Sequence, residues 1–303
     1  MGCGSSYSLA KSAALQYSQL NGVPAYAIPA GDMLVNFEAY GRMLKDSAVM
    51  VLSRSGSTSE AVRAATRCKE TYDCKIISVC AKEGSPMEGV ADVNLLVPWA
   101  FDYSVCQTRT VSNLYICGLM IAAIGACNEK MLEAVAKIPQ LAEPFCAEVE
   151  SVMKRVGELG WEKAVVLADS GIAGLAEEGA LAFKEICRRD SNHYHILDVR
   201  HGPMVQINSK TLVIALLSCG DYSLQADLIR DLKSHSDKLL VLSANPEVKN
   251  LTDCTVVLTP DCGSDDACAV YMLYCIQLVT LYHALAIGVN PDAPEGLDAW
   301  IKL

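Results

Sequence analysis

Two glutamates close the segment Glu178-Gly179-Ala180-Leu181-Ala182-Phe183-Lys184-Glu185, and His201 follows in the turn sequence Arg200-His201-Gly202-Pro203. Glu178 and Glu185 are nearly two helical turns apart, so on a helix their carboxylates share a face. Glutamates so spaced often mark a solvated face. Here the residues between them are apolar, and a half-buried carboxylate is one whose pKa can climb toward the range of a general base. A histidine in a loop can carry protons near neutral pH, although a lone histidine is as readily structural. His193, His195 and His201 also raise the question of a metal. No carboxylate falls at ligand spacing beside them, so neither metal nor cofactor is expected.

Two turns rich in small hydroxyl residues lie in the first half, Gly2-Cys3-Gly4-Ser5-Ser6 and Ser53-Arg54-Ser55-Gly56-Ser57-Thr58, each ahead of a helical pattern. Small residues let the backbone approach an anion, hydroxyls donate hydrogen bonds, and the helix dipole behind each turn favours negative charge. Either turn alone reads equally well as an N-cap. Both within one half point to an anion site. Neither has the Gly-Lys-Ser/Thr of a phosphate loop for nucleotides nor the GxGxxG of dinucleotide binders, so a sugar phosphate fits better.

The elements that must hold these residues alternate. Short apolar runs at 48–53, 75–79, 93–98, 164–168, 211–217, 239–243 and 255–258 read as strands, separated by helical stretches such as 59–71 and 174–188. The pattern predicts two similar three-layer α/β halves with mainly parallel sheets. We place them at residues 1–135 and 161–303, joined by a helical segment at 136–160 that Pro139 and Pro144 interrupt. A phosphate-cradling loop ordinarily follows a strand, yet the first turn starts at residue 2, so the first strand of the N-terminal half is expected to be missing.

Composition narrows the class. The 303 residues are 51% hydrophobic, 20% charged and 6% aromatic, which excludes disordered, collagenous and coiled-coil chains. The net charge of −10 argues against nucleic acid and anionic membranes as partners. Fourteen cysteines without a CxxC pair or a recognisable secretory signal read as buried thiols in a reducing, cytoplasmic setting. The apolar run at 114–127 is short for a membrane span. That at 269–289 carries Gln277, Thr280 and His283 every third residue, so both are expected to be core helices.

Together these segments resemble the sugar isomerase (SIS) family of double-domain phosphosugar enzymes over nearly the whole chain. GCGSSYS, SRSGSTSE, EEGALAFKE followed by RHGP, IQLVTLYHALAIG and NPDAP are similar, in that order, to the isomerase half of glucosamine-6-phosphate synthase, and the interval from Glu185 to His201 is the family's own. The resemblance implies that Cys3, Gly4, Ser5 and Ser6 line a sugar-phosphate site together with Val105 and Gln107. It further implies that Ser53, Ser55 and Thr58 hold the phosphate, with Arg54 of the same turn among the substrate-binding residues, that Glu185 moves a proton between C1 and C2, that Glu178 is a second active-site glutamate, and that His201 opens the sugar ring in a neighbouring subunit of a homodimer.

The departures are informative as well. Ala182 stands where the synthase has a lysine between its glutamates, and Ala299 where it has a substrate-binding lysine. The family's fructosamine-6-phosphate deglycases share the non-lysine helix and a turn similar to Asp198-Val199-Arg200-His201-Gly202-Pro203. The expected substrate is therefore a phosphorylated fructosamine. An aldose-ketose or deaminating isomerase of the same fold is the alternative, and a catalytically silent phosphosugar sensor is a third reading.

Overall fold

The computed structural model describes residues 1–299, 301 and 303, and it divides into two units, Met1–Ala122 with Glu295–Leu303, and Ala123–Pro294. The segment at 136–160 thus falls inside the second unit, and the C-terminal residues join the first.

In the first unit α1 (Ser5–Asn21), α2 (Ala30–Val35) and the single turn α3 (Gly41–Leu44) precede β1 (Ala48–Ser53). Then come α4 (Ser59–Tyr72), β2 (Lys75–Cys80), α5 (Pro86–Val90), β3 (Val93–Leu96) and α6 (Arg109–Gly125). The strands form a parallel sheet in the order β1-β2-β3. Val49, Val51 and Ile76 alternate onto one face and pack with Met33 of α2 and Ala61, Ala64, Ala65 and Cys68 of α4. The strand position beside β1 is taken by Met1 alone. Its amine donates to the Met50 carbonyl at 2.7 Å, and its carbonyl accepts from Leu52 N–H at 3.1 Å. Gly2 then bridges in parallel to Pro29, so one residue of ladder leads straight into the first serine turn.

The second unit opens with α7 (Glu129–Gly157) and continues with β4 (Lys163–Leu167), α8 (Ala173–Glu185), β5 (Asp190–Tyr194), β6 (Thr211–Leu217), α9 (Tyr222–Lys233), β7 (Leu239–Ser243), β8 (Thr255–Leu258) and α10 (Asp265–Ala286). Its sheet runs β5-β4-β6-β7-β8, all parallel. Both faces of β6 are buried, as its unbroken apolar sequence requires. Val165, Leu167, Val213, Ala215 and Val241 face α9 through Ala226, Ile229 and Leu232.

Two expectations change here. The segment with Pro139 and Pro144 is one continuous helix, because Met131, Ala134, Ile138, Phe145, Val149 and Met153 recur on one buried face. Burying a large apolar side chain yields roughly 1.5–3 kcal/mol, so this face outweighs two prolines at about 3 kcal/mol each. The hydroxyl of Tyr271 in α10 adds a 2.6 Å bond to the carbonyl of Ile138. β5, of sequence DSNHY, is an edge strand that apolar patterning does not show.

Helix α10 has the length and composition to cross a membrane, but most of it is buried inside the protein. Its polar residues are satisfied within the unit. Thr280 Oγ1 donates to the Ile276 carbonyl at 2.7 Å, and His283 stacks on Trp161 with Nδ1 2.8 Å from the Gly157 carbonyl oxygen. Burial holds the His283 pKa below its ordinary value. All fourteen cysteines are free thiols.

Candidate active site

The first serine turn depends on two glycines. A Cβ on Gly2 would lie 2.6 Å from the backbone of Ser6, and Gly4 holds φ +52°, a left-handed conformation that only glycine adopts cheaply. The turn closes through Ser6 N–H to Cys3 O at 3.1 Å and Tyr7 N–H to Gly4 O at 2.8 Å. Ser5 and Ser6 are thereby buried at the head of α1, whose N-cap supplies no side chain. Burial first, and the Glu60 carboxylate next, push the Cys3 thiol up to about 11, so Cys3 offers this turn a neutral group.

The second turn is wound on itself. Ser53 Oγ accepts from Gly56 N–H at 2.9 Å, Ser55 Oγ accepts from Ser57 N–H at 3.2 Å, and Gly56 sits at φ +57° with no room for a Cβ against Ser85. A serine that accepts in this way keeps its O–H to donate. Thr58, the N-cap of α4, makes no side-chain cap, while Ser59 N–H goes to the Ile301 carbonyl at 3.3 Å.

Arg54 points elsewhere. It is buried, and its guanidinium donates to the carbonyls of Ser104 at 2.7 Å, Val105 at 3.0 Å and Ala299 at 2.7 Å. It therefore ties the turn to the loop that carries Val105 and Gln107 and to the C-terminal residues. That loop is braced from its other end by Asp102, whose Oδ2 accepts from Thr108 and Thr110 N–H at 2.9 and 2.8 Å. The Gln107 Oε1 atom is buried without a hydrogen-bond partner among the described residues, as fits a group that meets a ligand.

The acid–base residues lie in the second unit. Glu178 is buried within α8, and Glu185 is the last residue of that helix, partly exposed on the same face. His201 is exposed and ends a short 3-10 turn, its N–H bonded to Asp198 O at 2.9 Å. Val199 plugs the turn into the core, and Arg200 clamps it through Nε to Asp231 Oδ2 at 2.8 Å. The turn is thus a rigid mount that presents His201 outward. Among the described residues no group of three or more His, Cys, Asp or Glu side chains is placed to hold a metal ion.

Residues 1–123 match the family model described as the SIS domain. The chain is 27% identical over 267 residues to a glutamine–fructose-6-phosphate aminotransferase (isomerizing) of Clostridium acetobutylicum, covering 84% of this chain and 43% of that protein. It is 25% identical over 281 residues to a D-galactosamine-6-phosphate deaminase of Shewanella sp. strain ANA-3, covering 88% and 69%. The chain spans less than half the length of the aminotransferase. Among solved structures, glucosamine-6-phosphate deaminase from Thermotoga maritima superposes with a TM-score of 0.82 at 24% identity, covering 100% of this chain and 89% of that one. Tagatose-6-phosphate ketose/aldose isomerase from Escherichia coli gives 0.84 at 20% identity, covering 98% and 84%. The fold is that of the phosphosugar isomerases.

Both serine turns lie within the residues that match the SIS model, at the carboxyl ends of Met1 and β1, where open parallel sheets bind ligands. Sequence reasoning missed Asp102 and the partners of Arg54. The aspartate ahead of a helical pattern is a usable signal for the first, as side-chain carboxylates commonly close such turns. Nothing local in the sequence signals the second.

Proposed function

We propose that this chain is a phosphosugar enzyme that releases an amine from a phosphorylated fructosamine. What supports the reading is that one chain carries two anion-ready turns without carboxylates of their own in its first unit and, in its second unit, a helix that presents Glu178 and Glu185 on one face and a rigid turn that presents His201. The serine turns hold the 6-phosphate and fix the sugar, so that binding energy far from the reacting carbons positions them.

The chemistry then needs only proton transfers. His201 takes the proton of the anomeric hydroxyl and protonates the ring oxygen, giving the open-chain ketosamine. Glu185 removes a proton from C1 and returns it to C2 while the N–H proton passes to the C2 oxygen, converting the ketosamine to the C1 imine of the aldose. Water adds to that imine and the amine departs with a proton, leaving an aldose 6-phosphate. As the family resemblance implies, we assign His201, exposed on its braced turn, to the site of a second copy, so that a homodimer is the proposed active form.

A deaminating isomerase is the second reading, favoured by the relative and the solved structure named as amino-sugar-phosphate deaminases. It uses the same shuttle with the amine on C2. The test is to incubate the protein with 6-phosphorylated fructose–amino acid conjugates and with glucosamine and galactosamine 6-phosphates, following free amine, ammonia and sugar phosphate. Amine release from the conjugates is expected. Ammonia from the amino sugars alone would establish the second reading.

A further inference from the structure

Five residues separate Cys262, in the turn after β8, from Cys268, at the start of α10. The fold closes that interval. Cys262 N–H donates to Cys268 Sγ at 3.2 Å, and the Cys262 thiol donates to the same sulfur. The hydroxyl of Tyr271, one turn further along α10, meets the Cys262 thiol in its turn.

These contacts favour the charged form of one sulfur only. Donation from Cys262 holds the Cys268 thiol below its ordinary value, and the same bond pushes Cys262 up. Burial, by contrast, pushes the thiols of Cys3, Cys68, Cys80 and Cys275 up. Cys219, whose own N–H bonds Asp265 at the head of α10, is pushed up to about 12 by desolvation and by its hydrogen bond to that carboxylate. The thiolate is the nucleophilic form of cysteine, and a thiolate beside a second thiol is the arrangement of a reversible dithiol. In a reducing compartment such pairs are transient and redox-sensing, not structural.

Both sulfurs are buried, but under a thin cover, since Asp261 and Gly263 on either side of Cys262 are exposed. Hydrogen peroxide is little larger than water. We propose that Cys268 and Cys262 form a reversible oxidation site for small hydroperoxides, with Cys268 as the attacking thiolate and Cys262 as the thiol that resolves it. The Cys268 sulfur attacks one peroxide oxygen, the O–O bond breaks, and the departing hydroxide takes up the proton that Cys268 had lost, leaving a sulfenic acid and one water. The Cys262 sulfur then attacks the Cys268 sulfur, the S–O bond breaks, and hydroxide leaves with the Cys262 proton as a second water. Two thiols are oxidised to one disulfide and one peroxide is reduced to two waters. The bridge fastens the turn after β8 to α10, and it is independent of the phosphosugar reading.

The test treats the folded full chain with hydrogen peroxide, alkylates the remaining thiols in denaturant, and maps the peptides by mass. Of the fourteen thiols, Cys262 and Cys268 are expected to disappear first and together, about tenfold faster than the rest, and to return with dithiothreitol. The wild-type map needs no substitution and decides by itself. Two variants, each checked for folding by circular dichroism, assign the roles. Cys262→Ser should leave a sulfenic acid on Cys268 that dimedone captures, whereas the wild type gives little adduct because Cys262 reaches the sulfur first. Cys268→Ser should slow oxidation of Cys262 to the rate of the other thiols. Earlier loss of any other cysteine, a bridge from either sulfur to Cys219, or dimedone capture on Cys262 in place of Cys268 would each overturn the proposal.

Discussion

The two units are built on one plan and answer the same question differently. In each, a ladder position leads through a turn to a helix, an edge segment lies on one side, and three further strands follow on the other. Met1, Pro29, β1, β2 and β3 in the first unit run in the order of β4, β5, β6, β7 and β8 in the second. Even the backbone agrees, with Gly4 at φ +52° and Ser170 at φ +55° in the turns that follow. The difference is in what satisfies the helix N-termini. In the second unit Asp221 caps α9, its Oδ1 accepting from Ser223 and Leu224 N–H at 3.0 and 3.3 Å, and Asp265 accepts from Cys219 N–H at 2.9 Å. Asp169, where the first unit has Cys3, is engaged by His195 at 2.8 Å and Ile196 N–H at 3.2 Å. At these three places the second unit supplies its own carboxylates. The first has serines and an uncapped Thr58 there, the positions that the proposed function gives to a ligand.

On the proposed reading binding falls to the first unit and proton transfer to the second, and the largest effect expected follows from that division. Glu185→Gln should lower turnover by about 10²- to 10⁴-fold, the usual contribution of a general base. Its fructose 6-phosphate affinity should stay within a few fold, because shape is preserved and the binding unit is untouched. Equal loss of affinity would make Glu185 structural and break the division.

The sharper experiment moves one unit's solution into the other. Thr58→Asp gives α4 the cap that Asp221 gives α9. Helix stability should hold or rise, since aspartate is among the preferred N-caps, while fructose 6-phosphate binding should fall by about a hundredfold as the phosphate meets a like charge and loses its N–H partners. A variant with a raised Tm and unchanged affinity would show that the anion does not sit at the head of α4. A smaller loss is expected from Arg54→Gln, which frees the carbonyls of Ser104, Val105 and Ala299 without touching a ligand. Three charge-assisted bonds at about 1.5–3 kcal/mol each are at stake, partly regained by water once the loop loosens. KM should rise more than kcat falls, with Arg54→Lys recovering part of the difference.

How far the sequence reached follows the same physics. β1, β6, β7 and β8 begin and end where their apolar runs do, and for β6 and β7 this is because a strand buried on both faces has no other composition open to it. β5 was invisible because a polar edge strand is held by ladder bonds to β4 and not by its side chains. Pro139 and Pro144 misled for the opposite reason, since the face that overrides them is defined only by its packing on other elements. Among site residues, the serine turns and the spacing of Glu178 and Glu185 were legible, being local. Arg54 was legible as a residue of the turn but not in its role, because Ala299, one of its partners, is 245 positions away.

The smallest effect expected tests the other half of the comparison, that the carboxylates of the second unit are structural. The Ser223 hydroxyl, with the N–H groups of Leu224 and Ser223, holds the Asp221 pKa below the ordinary aspartate value. A pKa depressed in the folded state contributes stability above the ordinary value of about 3.9 and loses it as pH falls through the depressed one. Asp221→Ala should therefore lower Tm by a few degrees near neutral pH, and the gap from wild type should narrow as both are acidified. Fructose 6-phosphate affinity should not change at all. If the gap persisted in acid, the loss would come from something other than the ionised cap, and if affinity fell, the division of labour between the two units would fail where it is most easily seen.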